Sequence, residues 1–248
     1  MYKYLFLIGL SVFCASLLPH DALAQSMTLD LGKAGEGSAT AKIIQLVVLM
    51  TVITLAPSIL IMTTSFMRII IVLSFLRSAL GLQQTPPNQV LVSLALFLTL
   101  FIMAPVFEKS YEEGVKPLLE ESITQEQAFE RIGAPFHDFM LHHVRAKDMN
   151  LFISMSPGLK IDDPDDTPYR VLVPAFMISE LKRAFEIGFL IFIPFVVIDM
   201  LVASVLMAMG MMMLPPVMIS LPFKLIFFVL VDGWYMVCGS LIKSFGTV

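Results

Sequence analysis

The chain has 248 residues, of which 57% are apolar and only 15% charged, where a soluble domain carries about 25% charged residues. That balance argues for a membrane protein, and the length suits one helical bundle rather than several domains. A net charge of −4 gives no electrostatic basis for holding nucleic acid or an acidic lipid surface.

Residues 1–24 read as a cleaved secretory signal. Lys3 supplies the positive start, residues 4–18 the apolar stretch, and Ala22-Leu-Ala24 the small-residue cleavage site. The apolar stretch is short for a spanning helix, which needs about 20 residues; an uncleaved anchor is the alternative. Phe13, before Cys14, stands where lipid attachment would need a small residue. Cleavage leaves Cys238 as the remaining cysteine, so the mature chain forms no internal disulfide.

Residues 25–107 are predicted to hold a polar start and a first helical hairpin. Residues 43–67 are uncharged, can span, and should bend at Pro57. Residues 68–77 carry two arginines and no acid. Residues 83–88 form a proline-rich turn, and residues 88–107 make a second spanning candidate that ends near Pro105. Residues 108–173 are predicted to be a small, acidic, helical domain facing water. Fourteen acidic and nine basic residues fall between positions 108 and 183. Thr124 and Gln127 have capping-box spacing. Phe136, Phe139, Met140, His143 and Val144 recur as one face of a helix.

Residues 174–248 are predicted to form the second hairpin. Pro174 opens a helix that passes Glu180 and Lys182 and is kinked at Pro194. Six of the twelve residues from 207 to 218 are methionine. Gly210 and Pro215-Pro216 make a continuous helix through that run improbable. Irregular backbone at membrane depth persists only inside protein or beside a water-filled cavity. Methionine is apolar and adaptable, and an apolar constriction can stop ions by dewetting. A soft collar around a pore follows; a methionine-rich core turn is the plainer alternative. Residues 220–242 supply the fourth apolar segment.

A cleaved signal leaves the mature start outside the cytoplasm, and four crossings return the end there. Arg68 and Arg77 then lie on the cytoplasmic side and the acidic domain outside. Lys182 and Arg183 flank the third segment on the opposite side from that rule, and the methionine loop has no lysine or arginine. The hairpins therefore insert only partly, or sit within a larger protein ring.

Asp199, Lys224 and Asp232 interrupt apolar segments. An ion facing lipid costs about 2.5–3.5 kcal/mol on insertion scales, so these groups are expected to face protein, water or each other. Lys224 and Asp232 stand about 80° apart around one helix, which favours pairing between neighbouring helices or subunits. A proton relay through Asp199 and Asp232 is the functional alternative. His137, Asp138, His142 and His143 have the side chains for metal, but histidines on a solvated helix are the commoner case. Met207, Met209 and Met211 alternate as soft thioethers, which suits Cu(I). Trp234 and Tyr235 suit a helix interface or a membrane boundary. No phosphate-cradling glycine loop, paired cysteines or partnered nucleophile occurs, so no enzyme is read here.

Pro174-Ala-Phe-Met-Ile-Ser-Glu180-Leu-Lys-Arg183, Ile193-Pro-Phe-Val-Val-Ile-Asp199, Met209-Gly-Met-Met-Met213-Leu-Pro-Pro216, Ser220-Leu-Pro-Phe-Lys224 and Val231-Asp-Gly-Trp234 resemble the FliP family of type III secretion export gates. Thr63-Thr-Ser-Phe-Met-Arg68-Ile and Leu80-Gly-Leu-Gln-Gln-Thr-Pro86-Pro-Asn-Gln89 also resemble it. The resemblance implies an all-α membrane fold and a non-enzymatic role without a cofactor. It implies an oligomer of about five copies, joined by FliQ and FliR and working with FlhA and FlhB. Unfolded export substrates would pass through the channel, with the complex at the flagellar basal body in the inner membrane and displaced toward the periplasm. It implies a pore gasket at Met209, Met211, Met212 and Met213, with buried charge pairing or assembly at Asp199, Lys224, Asp232 and Glu180. The rival class is a Cu(I) or ion-coupled membrane transporter.

Overall fold

The computed structural model describes residues 38–156, 163–211 and 214–246. The predicted signal, residues 1–24, lies outside them, as do Met212 and Met213. The chain divides into two compact units, residues 1–53 and 54–248, and the division falls within the first helix, α1 (Ser38–Met62). All described regular structure is helical.

α1 continues through Pro57 and stops at Met62, short of the expected 67. The buried polar residues Thr63, Thr64 and Ser65 separate it from α2 (Phe66–Ala79). Thr63 and Thr64 turn their hydroxyls back onto carbonyls of α1's last turn, which competes with continuing the helix.

α2 is the centre of the second unit. Ile69, Val72, Leu73 and Leu76 are fully buried at positions i, i+3, i+4 and i+7. One side of α2 meets Leu91, Ala95 and Ile102 of α3 (Asn88–Ser110), and another meets Ala184 of α7 (Tyr169–Ala208). Leu241 of α9 (Gly233–Lys243) and Phe245 close the same core. Gly188 of α7 lets the helices approach, because a Cβ there would lie 2.5 Å from the Phe75 ring. Phe75 in turn meets Phe185 edge-on at 4.9 Å. Arg77 ends α2 by donating to Asn88 Oδ1, so the proline-rich turn is pinned at both sides.

α3 passes Pro105 instead of ending there, and continues through a π-helical turn (Tyr111–Val115) into the short α4 (Lys116–Leu119). A proline removes one backbone donor, and the flanking turns hold the helix together across that gap. Gly114 sits at the π-helical turn because Ile132 backbone nitrogen would lie 2.9 Å from any Cβ. α5 (Gln125–His143) has the predicted capping box: the Thr124 hydroxyl accepts from Gln127 N–H, and Gln127 returns to Thr124 N–H. α6 (Ala146–Ser154) follows. A second core of Met140, Met149, Leu172, Ala175 and Phe176 binds α5 and α6 to the first part of α7.

α7 starts at Tyr169, five residues before the predicted Pro174, with Pro168 at its cap, and runs for 40 residues through Pro174 and Pro194. The predicted domain boundary at 173 therefore falls inside a helix. The fourth apolar segment is also not continuous. α8 (Pro216–Leu230) and α9 meet at a 63° bend, so three described helices are long and apolar enough to cross a membrane, or four if the bent pair is one span.

The outer faces of α3, α7 and α8 stay apolar and uncovered. Phe97, Phe189 and Leu230 are 72%, 68% and 79% exposed. A surface of that kind is a lipid or protein contact rather than a water-facing one. The all-α fold and the membrane character read from composition are both present.

Candidate functional site

The methionine run lies between α7 and α8. The helix ends at Ala208 because Gly210 adopts φ +74°, a left-handed turn that suits glycine. Pro215 caps α8, and Pro216 takes its first position, where its missing N–H costs nothing. Met207, Met209 and Met211 are 58%, 59% and 44% exposed. They are displayed rather than packed into this chain's own core, as a core turn would require. These three side chains thus form an apolar surface at the end of α7.

Beneath it stands a polar cluster built from three helices. Lys224 Nζ lies 2.7 Å from Asp199 Oδ2 and donates to the Ala79 carbonyl at 3.2 Å. Ser220 donates to the other Asp199 oxygen. Lys224 thus joins α8 to α7 and neutralises the carbonyl end of α2, where a cation is favoured. Its side chain is 4% exposed and that of Asp199 30%, so one edge of the pair faces outward.

Asp232 does not share this environment, contrary to its expected place inside an apolar helix. It is exposed, sits at the α8–α9 bend with φ 50°, and has no ion pair among the described residues. Aspartate tolerates the left-handed region better than most residues, and Asp232-Gly233 is a turn signal that the hydropathy run obscured. Trp234 beyond the bend meets the Phe228 ring edge-on at 5.5 Å, and Tyr235 is exposed.

Glu180 anchors a second buried cluster, whose main partner is Arg68. Arg68 is fully buried. Its Nε donates to Glu180 Oε2 at 2.7 Å, and Nη2 to Oε1. Nη1 donates to both the carbonyl and the hydroxyl of Ser244, each at 2.9 Å. The guanidinium also stacks 3.6 Å from the centre of the Phe245 ring. The fork geometry of arginine explains how one side chain binds α2, α7 and the turn after α9 together.

Ser179, next to Glu180, carries the network into α6. It donates to Asp148 Oδ2 at 2.7 Å, while Arg145 Nε donates to the same carboxylate at 2.7 Å. Burial pushes the Asp148 carboxyl up, but the bonds from Ser179 and Arg145 outweigh that and hold it below the usual carboxylate range. The stability from this contact is complete above the unfolded value of about 3.9 and is lost as pH falls through the lower folded value. Asp148→Asn should flatten the fall in thermal midpoint as pH drops below about 3.9; an unchanged acid limb would show that other carboxylates govern it.

His137 and His143 bond to backbone carbonyls. His137 Nε2 lies 2.7 Å from the Thr167 carbonyl, and both ring nitrogens of His143 meet backbone carbonyls. Among the described residues no three histidine, cysteine or acidic side chains form a metal-holding group.

The FliP family's sequence model matches residues 49–241. A Caulobacter vibrioides protein called flagellar biosynthetic protein FliP is 59% identical over 240 residues, covering 95% of this chain and 88% of its own length. Proteins of the same name from Agrobacterium fabrum and Bacillus subtilis are 50% and 52% identical, covering 97% and 88% of this chain and 98% of each relative.

Proposed function

The chain belongs to the FliP family, and from that membership we propose that it is a channel-forming subunit of the flagellar type III export gate. Several copies assemble with FliQ and FliR. They work with FlhA and FlhB and pass unfolded flagellar substrates across the inner membrane at the basal body, with the core complex displaced toward the periplasm. The role is conductive rather than enzymatic.

One observation carries this reading: Met207, Met209 and Met211 of the methionine run are exposed rather than packed. Displayed by several copies around an axis, Met209, Met211, Met212 and Met213 form a yielding seal. The uncovered faces of α3, α7 and α8 supply the contacts that gather the copies. Asp199 and Lys224 hold α8 against α7 beneath the seal.

Extraction of the tagged full chain from membranes tests the assembly. The expected product contains several copies of the chain together with FliQ and FliR. Recovery as a stable monomer that moves Cu(I) or another ion would favour a transporter instead.

A further inference from the structure

We propose that Met207, Met209 and Met211 form a reversible oxidation site: peroxide converts their exposed thioethers to sulfoxides, and the polar sulfoxides wet the seal and let ions through. The site rests on the export-gate reading above and gives that gate a chemical control. It stands on how the end of α7 is built.

The turn there holds itself through its backbone. Gly210 N–H donates to the Met207 carbonyl and Met211 N–H to the Leu206 carbonyl, each at 3.0 Å. With Gly210 at φ +74°, these are the two paired bonds that close a helix around a left-handed glycine. The methionine side chains carry neither bond. All three are exposed, while Leu206 beside them is buried. Met103 and Met140, by contrast, are fully buried. Oxygen added to a buried methionine disrupts the core around it. Added at 207, 209 or 211, it alters a surface and leaves the bonds of the turn in place. The gate can therefore change its wetting without losing its fold.

The reaction needs only hydrogen peroxide. A lone pair on the thioether sulfur attacks one peroxide oxygen. An S–O bond forms and the O–O bond breaks. The second oxygen takes the proton of the first and leaves as water. Sulfur loses two electrons and the peroxide gains them. A thioether is a weak acceptor, whereas the sulfoxide is polar and holds water. An apolar constriction stops ions only while it stays dry, and every copy in the assembly adds its own sulfoxides to the same axis. A dithiol reductase of the methionine sulfoxide class reverses the step: the oxygen leaves as water and the two thiols close to a disulfide.

The test treats the purified assembly of the full chain with hydrogen peroxide, washes it, and reads its ion leak at rest in a planar bilayer. Mass spectrometry locates the sulfoxides. A complex closed before treatment should leak after it, with sulfoxide at 207, 209 and 211 and none at Met103 or Met140. Reductases for both sulfoxide epimers, supplied with a dithiol, should return the leak to its starting level; this arm needs no variant. Met207→Leu, Met209→Leu and Met211→Leu together keep apolar bulk without a thioether, and that assembly should stay closed under peroxide. It retains Met155, which is 71% exposed, and the free thiol of Cys238. A leak that persists in it would overturn the site. So would a leak that the reductases do not reverse, the absence of sulfoxide at the three positions, or sulfoxide at all three with no leak. A second variant, with Met209, Met211, Met212 and Met213 shortened to alanine, separates the site from the gate. If it leaks untreated while the oxidised native complex stays closed, the oxidation site alone fails. If neither conducts, the gate reading fails and takes the site with it.

Discussion

Glu180→Ala should destabilise the folded chain by about 3–5 kcal/mol, the usual cost of removing one partner from a buried ion pair. Glu180 is fully buried, and it supplies both oxygens that face Arg68. Without it the Arg68 guanidinium keeps only Ser244 and the Phe245 ring, with no counter-ion in a site closed to water. The damage should reach three places at once, because Arg68 joins α2, α7 and the turn after α9. Arg68→Lys should also be costly, since an ammonium cannot reproduce the two-pronged contact. Arg68→Met combined with Glu180→Leu should recover part of the loss, because the penalty comes from the stranded charge more than from a missing attraction. Denaturant midpoints of the detergent-extracted chain measure all three. A change under about 1 kcal/mol in Glu180→Ala would place the pair among weak, solvent-screened contacts instead.

The sequence made this pair hard to see. Arg68 and Glu180 are 112 positions apart, and no local pattern announces such a partner. A signal for Arg68 did exist. Ile69, Val72, Leu73 and Leu76 form a helical stripe that buries the segment around it. Counting arginines for orientation asks which side of a membrane they take, and says nothing of whether one lies in a core. The bend at Asp232 was hidden for another reason. Hydropathy averaged across Asp232-Gly233 and read one helix, where a turn pair in the chain makes a 63° bend.

What rested on local chemistry was legible. The capping box at Thr124 and Gln127 and the break at Gly210 both follow from a few adjacent residues. The apolar lengths of α3 and α7 identified membrane-scale helices, although the prolines at 105 and 174 lie within them rather than at their ends. Neighbouring turns keep such helices intact where one donor is missing. The Asp199–Lys224 contact is of an intermediate kind. The cost of unpaired charge called for partners, but only the approach of α8 to α7 makes Asp199 the partner of Lys224. How the methionine tips meet is a property of several copies together, and a single chain's pattern does not contain it.

The second large effect concerns the seal. Shortening Met209, Met211, Met212 and Met213 to alanine removes the long side chains that would fill the axis of the assembly. A wider and less apolar constriction wets more readily, and a wet constriction conducts. The buried clusters at Arg68–Glu180 and Asp199–Lys224 are untouched by these changes, so assembly should be largely retained. The full-length side chains should yield to a passing polypeptide and close again, as a flexible thioether chain allows.

Single-channel conductance of the purified assembly in a planar bilayer, native beside the four-methionine variant, tests the gate most directly. The expected result is a closed native complex and a variant of the same size that leaks small ions at rest. A variant that fails to assemble, with no conductance in the complexes that do form, would give the loop a role in holding copies together and contradict the seal. Loss of tight Cu(I) binding in that variant, with flagellar export intact, would contradict the export gate and favour a transporter.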